Sequence, residues 1–284
     1  MSSPRKQDLL RARQARYRRR MDLRVTTPDE AVQFVAAVGF CFLFPIQGIE
    51  MPSLWDAIAG RVVEVLPLHT GYEIERTWGW KDALLNQRRW YYGKLIRGKA
   101  TLAALDFLPY FYALSRNYSD YESDYLDEYR EGLLSAEAKT IYETLLEKGA
   151  LNAVQLRKEA RLSAESSKSR FERALTELQT GLKVLPIGIA EAGAWRYAFI
   201  YEILPRWLPD VAVRARSITR EQARRAILHR YLQNVVFAAP RDIARIFGWP
   251  LAETRQSAEA LAAENRILLD VKVTGIGERM LVRI

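Results

Sequence analysis

Residues 135–201 read SAEAKTIYETLLEKGALNAVQLRKEARLSAESSKSRFERALTELQTGLKVLPIGIAEAGAWRYAFIY, and their pattern organises the whole chain. Ser135 is positioned to cap a helix, its hydroxyl accepting an otherwise unpaired backbone N–H. Ala138, Ile141, Leu145 and Leu146 then share one face, and Gly149 ends the helix as a residue at ease with positive φ. Asn152 and Gln155 have capping-box spacing and open a short second helix through Leu156 to Arg161. Ser163 is expected to cap a third helix with Phe171, Ala174, Leu175 and Leu178 buried and Gly181 as its stop. Its other face carries Ser166, Ser167, Lys168, Arg170 and Arg173, hydroxyls and cations suited to phosphate oxygens and base edges. Leu182 to Ile189 and Trp195 to Tyr201 alternate with period two around a turn at Ala190 to Gly193.

The same order returns over residues 219–284. Thr219 and Gln222 form a capping box, and Ala223, Ile227, Leu228 and Tyr231 supply the apolar stripe of a first helix. Pro240 suits the first position of a short second helix that Gly248 closes. A third helix is expected from Pro250 to Asn265, with Ala258, Leu261 and Ala262 inward and Arg255, Gln256 and Glu259 outward. Strands at Ile267 to Val273 and Met280 to Ile284 flank the turn sequence Thr274-Gly275-Ile276-Gly277. Three helices followed by a hairpin form a winged helix, a helix-turn-helix with a β wing. Two such units predict a mainly α fold with small β wings (α+β), built of tandem winged-helix domains. The competing reading is a helical protein with incidental hairpins.

A chain of 284 residues with 49% hydrophobic content has material for one large or two to three small domains with real cores. Its apolar runs are too short to span a membrane, and its N-terminus lacks the apolar region of a secretory signal. Cys41 is alone and sits among aromatics, which predicts a buried thiol and excludes an intrachain disulfide or a cysteine metal cluster. With only His69 and His229 besides, no metal site and no cofactor are expected. The net charge is +9, of which +7 lies in Met1 to Arg24. This basic arm, with Arg16 and Arg19, either clamps a polyanion through phosphate contacts or packs as a helix on acidic groups of its own protein.

Downstream of the arm, Thr27 caps a helix with Pro28 at its first position and Gly39 at its end. Phe40 to Ile46 is a dense apolar run expected to cross a core as a strand or extended segment. Gln47 to Pro52 follows, then a helix from Ser53 to Ala59. Val62 to Tyr72, which includes His69, reads as a loop. The stretch around Trp78, Trp80, Lys81, Asp82, Arg88, Arg89 and Trp90 interleaves aromatic and basic residues. It suits stacked bases and held phosphates, or equally a core helix with snorkelling cationic ends. Leu102 to Leu114 is expected to be a helix interrupted at Pro109. Tyr118 to Glu131 reads as an acidic linker or solvated helix, and Pro205 and Pro209 mark a second junction.

The run from Val38 to Arg61, taken with the two later units, resembles the AlkZ/YcaQ type (HTH_42) of bacterial DNA glycosylases, which unhook interstrand crosslinks and remove bulky alkylpurines. The resemblance implies tandem winged helices, a small C-terminal β-barrel, and a divergent first winged helix before Ser135. The expected organisation is then a basic arm (1–25), a first winged-helix-like domain (26–117), an acidic linker (118–134), and winged helices at 135–204 and 211–284. The chain ends at the last wing strand, which leaves the barrel without residues. The family signature is a Gln-apolar-Gln or Gln-apolar-Asp triplet shortly before a helix ending in arginine. Counting back from Arg61, one register puts the triplet on Phe42-Leu43-Phe44, with no polar atom to hold a water. A second register uses Gln47-Gly48-Ile49, keeping the first glutamine only, with Glu50 as the nearest carboxylate. Hydrolysis of an N-glycosidic bond requires a polar group on the water and negative charge near the sugar, so Gln47 and Glu50 are the candidate catalytic pair. Their structural alternatives are a loop amide and a helix-dipole partner.

The leading expectation is a monomeric DNA-binding protein of the cytoplasm and nucleoid, related to these glycosylases and acting in DNA repair. Double-stranded DNA is its expected partner, with no membrane. DNA contacts are expected from Lys168, Arg170, Arg173, Arg255, Gln256, Arg16, Arg19, Trp80, Lys81 and Arg89. The alternatives are an active glycosylase that extrudes damaged bases, a non-enzymatic transcription regulator, and a set of protein-interaction modules.

Overall fold

The computed structural model describes residues 4–62, 71–117, 120–193 and 195–284, so His69 lies outside the described residues. One topology occurs three times. In the first unit, α2 (Pro28–Val38), β1 (Phe40–Phe42), α3 (Leu54–Ala59) and α4 (Tyr72–Leu84) precede the hairpin β2 (Tyr91–Ile96) and β3 (Lys99–Ala103). In the second, α7 (Ala136–Lys148), β4 (Leu151–Asn152), α8 (Ala153–Glu159) and α9 (Lys168–Thr180) precede β5 (Val184–Ala190) and β6 (Ala198–Ile203). In the third, α12 (Arg220–Val235), β7 (Phe237–Ala238), α13 (Pro240–Phe247) and α14 (Leu251–Ala263) precede β8 (Ile267–Lys272) and β9 (Arg279–Arg283). The sheets are antiparallel and three-stranded, in the orders β1-β3-β2, β4-β6-β5 and β7-β9-β8. The fold is thus mainly α with small antiparallel sheets. Of the third strands beside the hairpins, β1 falls in the apolar run expected as a strand or extended segment, whereas β4 and β7 are absent from the sequence reading because two residues are too few to show period two.

Local chemistry sets these elements. Thr27, Ser53, Ser135, Asn152 and Thr219 all accept backbone N–H groups at their helix N-termini, and Thr219 with Gln222 completes a capping box. Each such cap contributes about 1 kcal/mol. Pro28 and Pro240 stand in the first turns of their helices. Four expectations need correction. Ser163 caps no helix: Glu165–Ser167 is a single 3-10 turn, and α9 begins at Lys168. Lys99–Ala103 is a strand, and α5 (Leu108–Leu114) begins rather than breaks at Pro109, whose missing N–H is harmless there. The acidic stretch takes the helical of its two readings, α6 (Asp124–Arg130), and departs from it only in burying Tyr125 against Tyr142. The Pro205–Pro209 junction is helical, with α10 (Leu204–Trp207) and α11 (Pro209–Ala215).

The basic arm forms α1 (Lys6–Arg16) and then wraps the first unit, burying Tyr17 completely. The first and third units share one apolar core: Phe40, Phe42, Tyr91 and Phe111 pack with Ile227, Tyr231, Ile243 and Ile246. The second unit has its own core of Ile141, Leu145, Phe171, Leu178 and Val184. Gly39 ends α2 at φ +79°, and a Cβ there would meet Arg230 Cγ of α12 at 3.0 Å, so the close approach of these units requires glycine. Cys41 is buried, and burial pushes its thiol up. Among the described residues no helix is long and apolar enough to cross a membrane.

Candidate nucleic-acid interface

The third helix of each unit follows the same two helices and precedes the same hairpin, yet the three are covered differently. On α4, Trp80 is half-buried in the first unit's core, 5.5 Å from the Arg76 guanidinium. Lys81 is enclosed. Its Nζ lies 4.7 Å from the Trp78 ring centre, 5.1 Å from Tyr92 and 4.6 Å from Phe199. It donates to Tyr197 Oη at 2.9 Å, contacts Asp82, and Tyr197 in turn donates to Asp82 Oδ1 at 3.0 Å. Burial lowers the Lys81 pKa against the pull of Asp82. Tyr197 and Phe199 belong to the second unit's hairpin segment, so that unit closes over Lys81, while Tyr72, Glu75, Trp78, Gly79 and Ala83 on the outward face of α4 stay exposed. Arg89, just before β2, pairs with Asp29 at 2.5 Å.

On α9, the C-terminal half is also occupied. Gln179 Oε1 accepts from the Lys94 N–H at 3.2 Å, Thr176 from Lys94 Nζ at 3.0 Å, and Thr180 donates to the Lys94 carbonyl at 2.9 Å. Its N-terminal half is exposed: Lys168 lies 3.9 Å from Glu165, Arg170 pairs with Glu137 at 3.1 Å, and Arg173 donates to the Ser169 carbonyl at 3.3 Å. On α14 the buried face is Thr254, Ser257, Ala258 and Leu261. Arg255 and Gln256 are exposed, with no partner among the described residues. They face solvent beside a groove of about 510 Å³ between α14, the start of α13 and the β8–β9 hairpin. Arg241, Arg255 and Arg279 line that groove together with Glu259, Asp270 and Glu278, so its formal charges balance. Arg241 is likewise exposed and unpartnered among the described residues.

The candidate catalytic loop lies where the first and third units meet. Ile46 and Ile49 bridge across a turn in which Gly48 takes φ +75°, leaving Gln47 exposed at the tip. Tyr231 Oη donates to the Glu50 carbonyl at 3.0 Å, Arg245 Nη2 to that of Gly48 at 3.5 Å, and Arg13 pairs with the Glu50 carboxylate at 3.0 Å. Glu50 is thus an ion-paired carboxylate on a pinned loop, and Gln47 has no partner among the described residues. In the other register, Phe42 and Leu43 are buried and Phe44 packs on Trp78 with ring centres 5.3 Å apart. No polar side-chain atom stands at any of those three positions.

The arm's cations are largely engaged within the chain. Arg13 donates to the carbonyls of Val235 and Phe237, and Arg19 pairs with the buried Asp56 at 2.8 Å. Arg16 donates to Asn234 Oδ1 at 3.1 Å and, like Arg230 of α12, to the Ala37 carbonyl at the end of α2. Only neutral groups receive Arg16, and its pKa is lowered by burial and then by Arg230, Arg283 and Arg18. Among the described residues these guanidiniums form a positive cluster without matching carboxylates. The sequence reading missed Arg241, Arg279, Arg230 and Arg266. Arg241 follows the helix-opening Pro240 and was detectable from position; the others meet only through tertiary packing.

Fold and surface together define a helical protein of three repeated small-sheet units, with the third unit's outer helix free. The chain belongs to the AlkZ-related family, whose model matches residues 25–248. That family is akin to DNA-repair glycosylases. No curated protein and no solved structure matches the chain.

Proposed function

We propose that this protein binds duplex DNA through winged-helix units, as a repair-associated relative of the crosslink and alkylpurine glycosylases. The observation that carries this reading is the unpartnered Arg255 and Gln256 on the open face of α14, beside Arg241. In a winged helix, that helix enters the major groove and the hairpin follows the backbone. Arginine reads guanine and glutamine reads adenine by paired hydrogen bonds, and Glu259 can accept from cytosine. The groove's carboxylates limit its net attraction, and Arg241 and Arg255 contribute phosphate neutralisation together with base readout. The first half of α9 adds Lys168, Arg170 and Arg173 as phosphate contacts. Arg16 and Arg19 act mainly by fixing the arm, and Trp80, Lys81 and Arg89 by holding the first unit together.

In this reading the chain binds damaged DNA without cleaving the glycosidic bond, because Phe42-Leu43-Phe44 cannot hold a water and Glu50 is tied to Arg13. The test is base release from alkylated and crosslinked duplexes, measured beside binding. The expected result is binding with no released base. Release by the wild type that vanishes in Gln47→Ala or Glu50→Ala would overturn this and make the protein a glycosylase working from the Gln47 loop.

A further inference from the structure

We propose that the cleft between α5, α12 and the α14–β8 junction is a phosphate-ester site, in which Arg230 and Arg266 hold the phosphate beside His229. The inference rests on the DNA-binding reading only for one of its two sources, a DNA strand as against a free nucleotide; the recognised chemistry is the same.

The cleft has a volume of about 720 Å³, ample for a phosphate with its attached sugar. Its charges divide into paired and unpaired. Asp106 pairs with Arg214 at 2.9 Å and Glu264 with Arg225 at 2.8 Å, and each of those pairs is neutral. Among the described residues Arg230 donates only to the Ala37 carbonyl, at 2.7 Å, and it lies over the Phe107 ring at 5.4 Å. Arg266 Nη2 is 3.1 Å from His229 Nδ1, which accepts only while the imidazole is neutral. Two guanidinium charges in the cleft therefore lack a counter-charge among the described residues. Phe107 and Tyr110, with ring centres 5.1 Å apart, supply an apolar wall for the sugar.

His229 reports this imbalance. Burial lowers its pKa first, then Arg266 and Arg230, with only Glu264 opposing. The groups around it are Arg225, Arg230 and Gln233 of its own helix, Arg266 from the start of β8, Glu264 from the end of α14, and Asp106 and Tyr110 from the α5 side. An oxyanion between the two arginines would neutralise the field that disfavours imidazolium. Binding then raises the His229 pKa, and by linkage affinity strengthens as pH falls through the imidazole range. Guanidinium pairs suit phosphate oxygens through parallel charge-assisted hydrogen bonds.

With two histidines in the chain, the imidazole proton resonances separate, and His229→Gln assigns them. The titration midpoint of His229 is measured in the full chain alone, with inorganic phosphate, with a deoxynucleoside monophosphate and with a short duplex, at matched ionic strength. At least one phosphate probe is expected to raise the midpoint by roughly one pH unit. Arg266→Gln, at an exposed position, should weaken that probe's binding about tenfold, the effect of one charge-assisted hydrogen bond. A rise with the duplex assigns the site to a DNA strand; a rise with the mononucleotide alone assigns it to a free nucleotide. A midpoint unmoved by every probe, with the duplex demonstrably bound, overturns the inference and leaves the DNA reading intact. A rise with phosphate in a protein that binds no duplex supports the site and removes that reading.

Discussion

The first and third units share one topology and opposite exposures. In the first, Lys81 of α4 is turned inward and sealed among aromatic rings, two of them from the second unit's hairpin. In the third, α14 presents Arg255 and Gln256 to solvent with none of the described residues partnering them. Repetition of a fold thus does not repeat its use: what a helix does depends on whether a neighbour already occupies its face. The first unit reads as the anchoring end, and the third as the end offered to a partner.

The strongest way to break this contrast is at Asp56, whose Oδ2 accepts from both Arg19 and Ser53 in the first unit. Asp56→Ala leaves the half-buried Arg19 guanidinium unpaired and the Ser53 hydroxyl without its acceptor, and is expected to cost roughly 2–4 kcal/mol, read as a lower urea midpoint. A loss under 1 kcal/mol would mean that the arm does not anchor this unit. Next comes Arg255→Ala. An exposed, unpartnered side chain should leave stability within about 0.5 kcal/mol while DNA affinity falls about tenfold. Unchanged affinity would shift the interface away from α14. A smaller effect is expected from Tyr197→Phe, which removes the hydroxyl shared by Lys81 and Asp82. About 1–2 kcal/mol of stability should go, with DNA affinity unaltered. Reduced affinity there would show that the Lys81 side of the first unit also meets DNA.

The smallest effect is on pH dependence. His229 has a folded pKa below its unfolded value, so between those two values the unfolded chain binds more protons. Stability should therefore decline as pH falls from about 6.5 toward the folded value, and His229→Gln should flatten that decline. Denaturant midpoints between pH 7.5 and 5.5 for both proteins check this, and identical slopes would contradict it.

How much of this was legible varies with the range of the interaction. Thr27, Ser135, Asn152 and Thr219 mark helix starts through contacts two or three residues away, so their caps are readable in sequence. The start of α9 was misplaced because Ala164 to Ser167 satisfies its backbone as a 3-10 turn, with serines at every plausible cap position. The aromatic and basic stretch at Trp78 to Arg89 could not be sorted into binding or packing. Two of the four rings that enclose Lys81, Tyr197 and Phe199, come from residues over a hundred positions away. Equally, nothing local shows that Arg16 and Arg230 converge on the Ala37 carbonyl, or that Glu50 finds Arg13. Periodicity reports one face of one element; it is silent on which faces meet.

The most direct test of the central claim is the salt dependence of duplex affinity for the wild type and the Arg241→Glu/Arg255→Glu double variant. The account predicts that affinity falls steeply with salt for the wild type. The variant should bind on the order of a hundredfold more weakly, with a log–log slope reduced by about two. Equal affinities and equal slopes in the two proteins would contradict it.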